Sequence, residues 1–198
     1  MWLLFVLLLV VAHQVIFRMV RRMDLLSTQL AWRANYDGMT RLLNRNAFFD
    51  QFVALAARNQ QQQTPIAVIQ LDVDHFKNVN DTWGHAAGDQ ALIRVAGVIS
   101  RTLRKYDVAG RSGGEEFCIV LPETTIAEAS AIADRIRTRL AAKTILVDCN
   151  TTFSVTLSAG VTGSEEQGDY HAETLQATAD RRLYLAKTGG RNRICAEG

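Results

Sequence analysis

The stretch Gly113-Gly114-Glu115-Glu116-Phe117 decides how this chain is read. An apolar, strand-like run follows it from Phe117 to Leu121, and Tyr106 to Arg111 reads as a strand before it. Two glycines between two such runs predict a tight hairpin, because a primed turn needs the positive φ that Gly adopts at little cost. A hairpin has no need of two adjacent carboxylates at its tip. Read alone, Glu115 and Glu116 serve equally well as solvated turn residues.

Outward from the hairpin, strands and helices alternate. On the N-terminal side, Asn44 to Asn59 has the helical spacing of Phe48, Phe52, Leu55 and Ala56, and the glutamines at 60–63 with Pro65 predict an exposed loop. Ile66 to Leu71 is a short apolar strand ending at Asp72-Val73-Asp74, and Gly88 to Leu103 is a long amphipathic helix. On the C-terminal side, Ala127 to Ala142 and Thr174 to Lys187 read as helices. Thr144 to Val147, Phe153 to Val161 and Arg193 to Cys195 read as strands. A hairpin in the middle of such an alternation favours an α+β fold with a mostly antiparallel central sheet flanked by helices over a doubly wound parallel one.

The chain has 198 residues, enough for one domain and an appendage. With 48% hydrophobic and 21% charged residues and two prolines, extended disorder is not expected. A net charge of +2 lacks the dense basic face of a nucleic-acid-binding protein. The cysteines, Cys118, Cys149 and Cys195, form no CxxC-type pair, which argues against a metal or disulfide framework and for a reducing compartment.

Trp2 to Phe17 is apolar except for His13 and Gln14. At about 1.5 Å per residue it reaches ~24 Å against a ~30 Å hydrocarbon core, and extension to Val20 closes the gap if Arg18 snorkels. Residues 1–20 are therefore expected to cross a membrane. Arg18, Arg21 and Arg22 follow the span, so the positive-inside rule places the rest of the chain in the cytoplasm. A span that begins at the first residue also fits a chain that continues a longer membrane protein. Residues 21–35, with Leu25, Leu26, Leu30 and Ala34 near heptad spacing, read as a juxtamembrane signalling or dimerising helix. Asp37-Gly38 breaks it and sets the start of the main domain, 36–198.

Asp72 closes a buried-looking strand, where a sheet usually presents its functional groups, and the two-residue period turns Val73 inward. Asp72 with Glu115 and Glu116 would form an oxygen-rich cluster suited to Mg²⁺, since packed acids without a cation repel one another. A strand end followed by a helix cap explains an isolated D-x-D equally well. Lys77, and Lys187 with Arg191, are candidate phosphate-binding cations, although the latter two also suit a helix C-terminus. Acids for a metal and separated cations for phosphate outline phosphoryl or nucleotidyl transfer. No Walker-type G-x-x-x-x-G-K-[ST] motif is present.

With these landmarks in order, the chain resembles the GGDEF domain of bacterial diguanylate cyclases over roughly residues 36–196. The matching segments are Asp37 to Arg45, Asp72 to Asp81, Gly84-His85, Gly88-Asp89 and the signature at 113–117. Ala179-Asp180, Leu183-Tyr184, Ala186-Lys187 and Gly190-Arg191-Asn192 complete the set. Met39, Arg41 and Trp83 depart from the usual residues, and Glu115 stands for the Asp of the family name, a variant that active members also carry.

The resemblance implies a palm-like nucleotidyl-cyclase fold and condensation of two GTP into cyclic di-GMP, with release of pyrophosphate, by a homodimer of facing domains. It assigns Asp72, the Val73 carbonyl, Glu115 and Glu116 to Mg²⁺, with Mn²⁺ as a substitute. Glu115, Glu116 and Lys77 would be catalytic. Asn80, His85 and Asp89 would take guanine, and Lys187 and Arg191 the terminal phosphates. Arg104-x-x-Asp107, five residues before the signature, would be a product-inhibition site completed by Arg135. The implied location is the bacterial inner membrane, with the catalytic domain in the cytoplasm. A module that binds GTP or cyclic di-GMP without turnover, and a purine cyclase with a single-nucleotide product, are the competing readings. The intact acids weigh against the first, and the Asn80/Asp89 pair against the second.

Overall fold

The computed structural model describes residues 1–147, 151–166 and 168–198, with the side chains of 3–12, 25 and 28 outside that description. Cys149 therefore lies outside the described residues, as does the side chain of Leu25. The chain divides into two compact units, Met1–Tyr36 and Asp37–Gly198.

The first unit is one helix, α1 (Trp2–Asn35), without a break at residue 20. Near its middle the Arg21 guanidinium lies 4.5 Å from the centre of the Phe17 ring. At its end Trp32 stacks on Tyr36 with ring centres 5.4 Å apart. Among the described residues no helix is long and apolar enough to cross a membrane, so the span expected over 1–20 has no structural support there.

The second unit carries α2 (Arg45–Gln62), β1 (Ile66–Val73), α3 (Phe76–Trp83), α4 (His85–Thr102), β2 (Val108–Arg111) and β3 (Glu116–Pro122). These are followed by α5 (Ile126–Ala141), β4 (Ile145–Leu146), β5 (Thr152–Phe153), β6 (Leu157–Gly163), α6 (Ala172–Thr188) and β7 (Ile194–Cys195). The main sheet has five strands in the order β2-β3-β1-β6-β7, antiparallel except for the parallel β6–β7 pair. This is the expected α+β architecture, a central sheet flanked by helices.

β1 is the central strand, and all eight of its residues are buried. That burial explains its nearly continuous apolar sequence, which a half-exposed strand would interrupt at alternate positions. Its odd-numbered residues, Ala67, Ile69, Leu71 and Val73, join a core with Leu92, Val95 and Ile99 of α4 and Ile132 and Ile136 of α5. Ile66 and Val68 face the opposite core, with Phe48 and Phe52 of α2 and Leu175 and Ala179 of α6. By the same two-residue period Gln70 and Asp72 belong to the α6 face.

Local signals account for the helix boundaries. The Asn44 side chain accepts from the Ala47 N–H and caps α2, and Thr125 and Glu128 form a reciprocal capping box on α5. The glutamines expected as a loop instead extend α2 to Gln62, and only Gln63, at φ +54°, ends it. Glutamine is a good helix former, so polarity alone was a poor stop signal. α3 was not expected: it has only eight residues, too few for the spacing of Phe76, Val79 and Trp83 to be told from a loop, and Phe76 is its only buried residue. The strand expected over 153–161 is two strands, β5 and β6, in different sheets.

Candidate active site

β1 and β3 run antiparallel with Asp72 opposite Glu116, and the Val73 N–H donates to the Glu115 carbonyl at 3.3 Å. The strand-end carboxylate and the signature acids thus meet at one edge of the sheet. Asp72 is only 4% exposed, and Lys187 from α6 pairs with it, Nζ to Oδ2 at 2.8 Å. Burial pushes the Asp72 carboxyl up to about 6. Lys187 pulls it back only in part, while the charges of Glu115 and Glu116 raise it further. Asp180 of α6 is also held above the usual carboxylate range, first by burial and then by Glu116. The edge is an acid cluster short of positive charge.

The hairpin differs from the primed turn expected for Gly113-Gly114. Residues 112–115 connect β2 to β3, and neither glycine takes a positive φ. A connection of this length does not have to match strand twist with two left-handed residues, so the stereochemical demand on the glycines is absent. Arg111 fixes the tip instead. Its Nε donates to the Gly113 and Gly114 carbonyls, both at 3.1 Å, and Nη2 donates to Gly114 at 2.6 Å. Its Nη1 reaches both oxygens of Asp37 at 3.3 Å.

The expected guanine readers lie on α3 and α4. Asn80 is half-buried on α3, and a Cβ placed on Gly88 of α4 would collide with its Oδ1, so the missing side chain at 88 makes the space that Asn80 occupies. His85 opens α4 after Gly84, at φ +80°, and Asp89 lies one turn on; both are exposed. Lys77 is exposed on α3, and Arg191 is exposed in the turn after α6 at φ +62°. Of the expected cations, Lys187 is already engaged with an acid of the cluster.

Arg104 and Asp107 form a closed turn. The Arg104 N–H donates to Asp107 Oδ2 at 2.7 Å, and the Asp107 N–H donates to the Arg104 carbonyl at 3.2 Å. They line a cavity of about 400 Å³ with Arg58, Asn59, Tyr106 and Glu123. Arg135 instead donates to the Thr102 carbonyl at 3.2 Å and does not line this cavity. Arg58 of α2 does line it. It went unread in the sequence because α2 shows only an apolar period. Arg111 and Gly88 were also missed as positioning residues, although each lies within or beside a matched motif.

Among the described residues no three His, Cys, Asp or Glu side chains close into a metal-holding group. The donor set nonetheless fits a hard divalent cation: a buried carboxylate with a raised pKa, a strand-end carbonyl and two further acids. Lys187 supplies part of the positive charge that such an ion would bring.

Fold and site together define an α+β domain with an acid edge, a nearby lysine and a hairpin fixed from behind. A family model described as "Diguanylate cyclase, GGDEF domain" matches residues 34–193, and the chain belongs to this family. It is 37% identical over 165 residues to a probable diguanylate cyclase of Escherichia coli, DgcT, covering 81% of this chain and 35% of that one. The crystal structure of the coiled coil and GGDEF domain of DgcB from Caulobacter crescentus, in complex with c-di-GMP, superposes with a TM-score of 0.84 at 33% identity. That match covers 91% of this chain and 95% of that one. The active GGEEF domain of a diguanylate cyclase from Vibrio cholerae superposes with a TM-score of 0.74 at 34% identity, covering 79% and 99%. The chain spans 35% to 48% of the length of the first curated relatives it matches.

Proposed function

We propose that this domain is a diguanylate cyclase, condensing two GTP into cyclic di-GMP and releasing pyrophosphate. The observation that carries the reading is the meeting of Asp72 with the Glu115–Glu116 hairpin edge, with Lys187 at 2.8 Å from the same carboxylate. Family membership supports it, as do relatives and solved neighbours named as diguanylate cyclases.

Asn80 and Asp89 read the base: the Asp89 carboxylate accepts from guanine N1–H and N2–H₂, donors that adenine does not offer together. His85 lines the same pocket. Lys77 neutralises charge on the transferring phosphoryl, and Lys187 and Arg191 hold the terminal phosphates. Glu115 takes the proton from the attacking 3′-hydroxyl, with Glu116 assisting. Asp72, the Val73 carbonyl, Glu115 and Glu116 would hold Mg²⁺, or Mn²⁺ in its place, which supplies Lewis-acid stabilisation of phosphoryl charge. One domain presents one GTP, so the active unit is a homodimer of facing domains.

Product binds at the Arg104–Asp107 turn and inhibits. The cavity beside that turn supports this reading, with Arg58 in addition to the expected Arg135. Anchoring to the bacterial inner membrane, with the domain in the cytoplasm, rests on the sequence of α1, an apolar run followed by Arg18, Arg21 and Arg22. Membrane fractionation of cells expressing the full chain, with and without residues 1–35, tests it. Recovery of the full chain in the soluble fraction refutes the anchor.

The activity is tested by incubating the dimeric protein with GTP and Mg²⁺ and separating the nucleotides by chromatography. Cyclic di-GMP and pyrophosphate are expected. Their absence under dimerising conditions sinks the reading.

A further inference from the structure

Asp74 is the acid of the Asp72-Val73-Asp74 run that the proposed chemistry does not use. It is 4% exposed and carries three side-chain hydrogen bonds. Thr156 Oγ1 donates to its Oδ2 and Ser158 Oγ to its Oδ1, each at 2.7 Å, and the Asn192 backbone N–H donates to Oδ2 at 2.9 Å. A carboxylate this buried needs such partners. The two hydroxyls come from the chain entering β6. The third donor comes from 118 residues away, in the turn after α6.

That turn is unusual. Gly190, Arg191 and Asn192 have φ of +117°, +62° and +44°, so two side-chain-bearing residues in succession occupy the left-handed region. Such a conformation persists only where its surroundings over-determine it. Here Asp74 grips Asn192 from the sheet side. From α5, Arg137 grips it from the other, Nη1 donating to Asn192 Oδ1 at 3.0 Å and to its carbonyl at 3.4 Å. Arg137 is in turn oriented by Asp134 at 2.8 Å. The N-terminal side of the turn is tied back to α6 by the Arg191 N–H, which donates to Ala186 at 3.1 Å.

We propose that Asp74 and Arg137 are positioning residues, a two-sided clamp on Asn192 that holds the 190–192 turn in its strained form and so sets where Arg191 meets the terminal phosphates of the nucleotide. The inference rests on the GTP reading above. Asp74 also precedes His75, at φ +56°, and the helix that carries Lys77. One buried carboxylate therefore ties together the two segments that bear the phosphate-binding cations Lys77 and Arg191.

The test uses the full chain and 3′-deoxy-GTP, which lacks the attacking hydroxyl, with GMP as the ligand that keeps the base and α-phosphate but lacks the terminal phosphates. If wild-type protein does not bind 3′-deoxy-GTP more tightly than GMP, the GTP reading itself fails. Given that preference, Asp74→Ala is expected to weaken 3′-deoxy-GTP about tenfold, the size of one lost charge-assisted contact, and GMP less than twofold. Exchange protection of the Asn192 amide should be lost as well. Equal weakening of both ligands, or of neither, overturns the clamp. Should Asp74→Ala not fold, Arg137→Met at the helix surface decides: a selective loss for the triphosphate supports the clamp, and an unchanged preference refutes it.

Discussion

Arg111 and Asp37 face each other across the back of the signature hairpin, Nη1 to Oδ2 at 3.3 Å, with 15% and 25% of their side chains exposed. The same guanidinium collects the carbonyls of Gly113 and Gly114. The pairing joins the first turn of the domain to the edge that carries Glu115 and Glu116. Burial works against the Asp37 charge, but bonds from Thr40 and then Arg111 outweigh it and leave the carboxyl below its usual range. The turn at 37–40 thus acts as a backstop for the acids.

Arg111→Met should therefore leave the sheet intact and free the hairpin tip. A loss of about 1–3 kcal/mol in stability is expected, as for a partly buried charged hydrogen bond, with turnover down at least tenfold. Urea melts and a pyrophosphate-release assay measure the two. Normal turnover with the same destabilisation would show that the tip does not need Arg111.

Gly88→Ala is expected to act on recognition. The new methyl collides with Asn80 Oδ1 and presses on the Phe76 ring at 3.2 Å, so Asn80 must leave its place. GTP affinity should fall by about tenfold or more, with a smaller effect on ITP, which lacks the 2-amino group. Calorimetric titration of the two nucleotides checks this, and an unchanged GTP affinity would remove Asn80 from the base pocket.

Much of this fold could be read from apolar periodicity, and the exceptions have physical causes. β1 was legible because a strand buried on both faces must be apolar throughout. α3 was not, since it offers one buried residue and leans on α4 for the rest. The acids of the site were visible because Asp72 at a strand end and two adjacent carboxylates on a hairpin come with separated cations, a combination that solvated turn residues do not require. Arg111, Gly88 and Asp74 were not, because what they do depends on partners 74 residues away for Arg111–Asp37 and 118 for Asp74–Asn192. For Gly88 it depends on a side chain that is not there. Lys187 could be read as a cation, but its pairing with Asp72 could not, since it depends on where α6 crosses the end of β1.

The raised carboxyl of Asp72 makes a pH prediction for metal-free protein. Its pKa rises from 3.8 to about 6 on folding, so between these values the folded state holds a proton that the unfolded state has released. Stability from this group therefore falls as pH increases from about 4 to 6 and levels off above, by a total on the order of 3 kcal/mol. Asp37 and Glu166, whose carboxyls are lowered, contribute with the opposite sign in a more acidic window. The difference in melting temperature between wild type and Asp72→Asn, followed from pH 4 to 7, isolates the Asp72 part. A flat difference would refute the shift.

Arg104→Ala tests product inhibition with little risk to the fold. The turn depends on the Arg104 N–H to Asp107 bond, and the substitution keeps that backbone donor. Inhibition by cyclic di-GMP should weaken at least tenfold while the initial rate stays within about twofold. Unchanged inhibition would place the product elsewhere.

Glu115→Gln should move stability and turnover in opposite directions. The carboxylate is one of the two charges that push Asp72 upward, the other being Glu116, so removing it relieves repulsion at the sheet edge. The isosteric amide keeps the backbone bond from Val73 to the residue 115 carbonyl. Metal-free protein should then melt about 1–2 °C higher, the shift that a few tenths of a kcal/mol produces in a domain of this size. Turnover should fall about a thousandfold or more, because the group that takes the 3′-hydroxyl proton is gone. Acids kept close together at a cost in stability are what a site needing negative charge would retain. A variant that melts lower and still turns over normally would make Glu115 a structural residue and leave the hairpin without its chemistry.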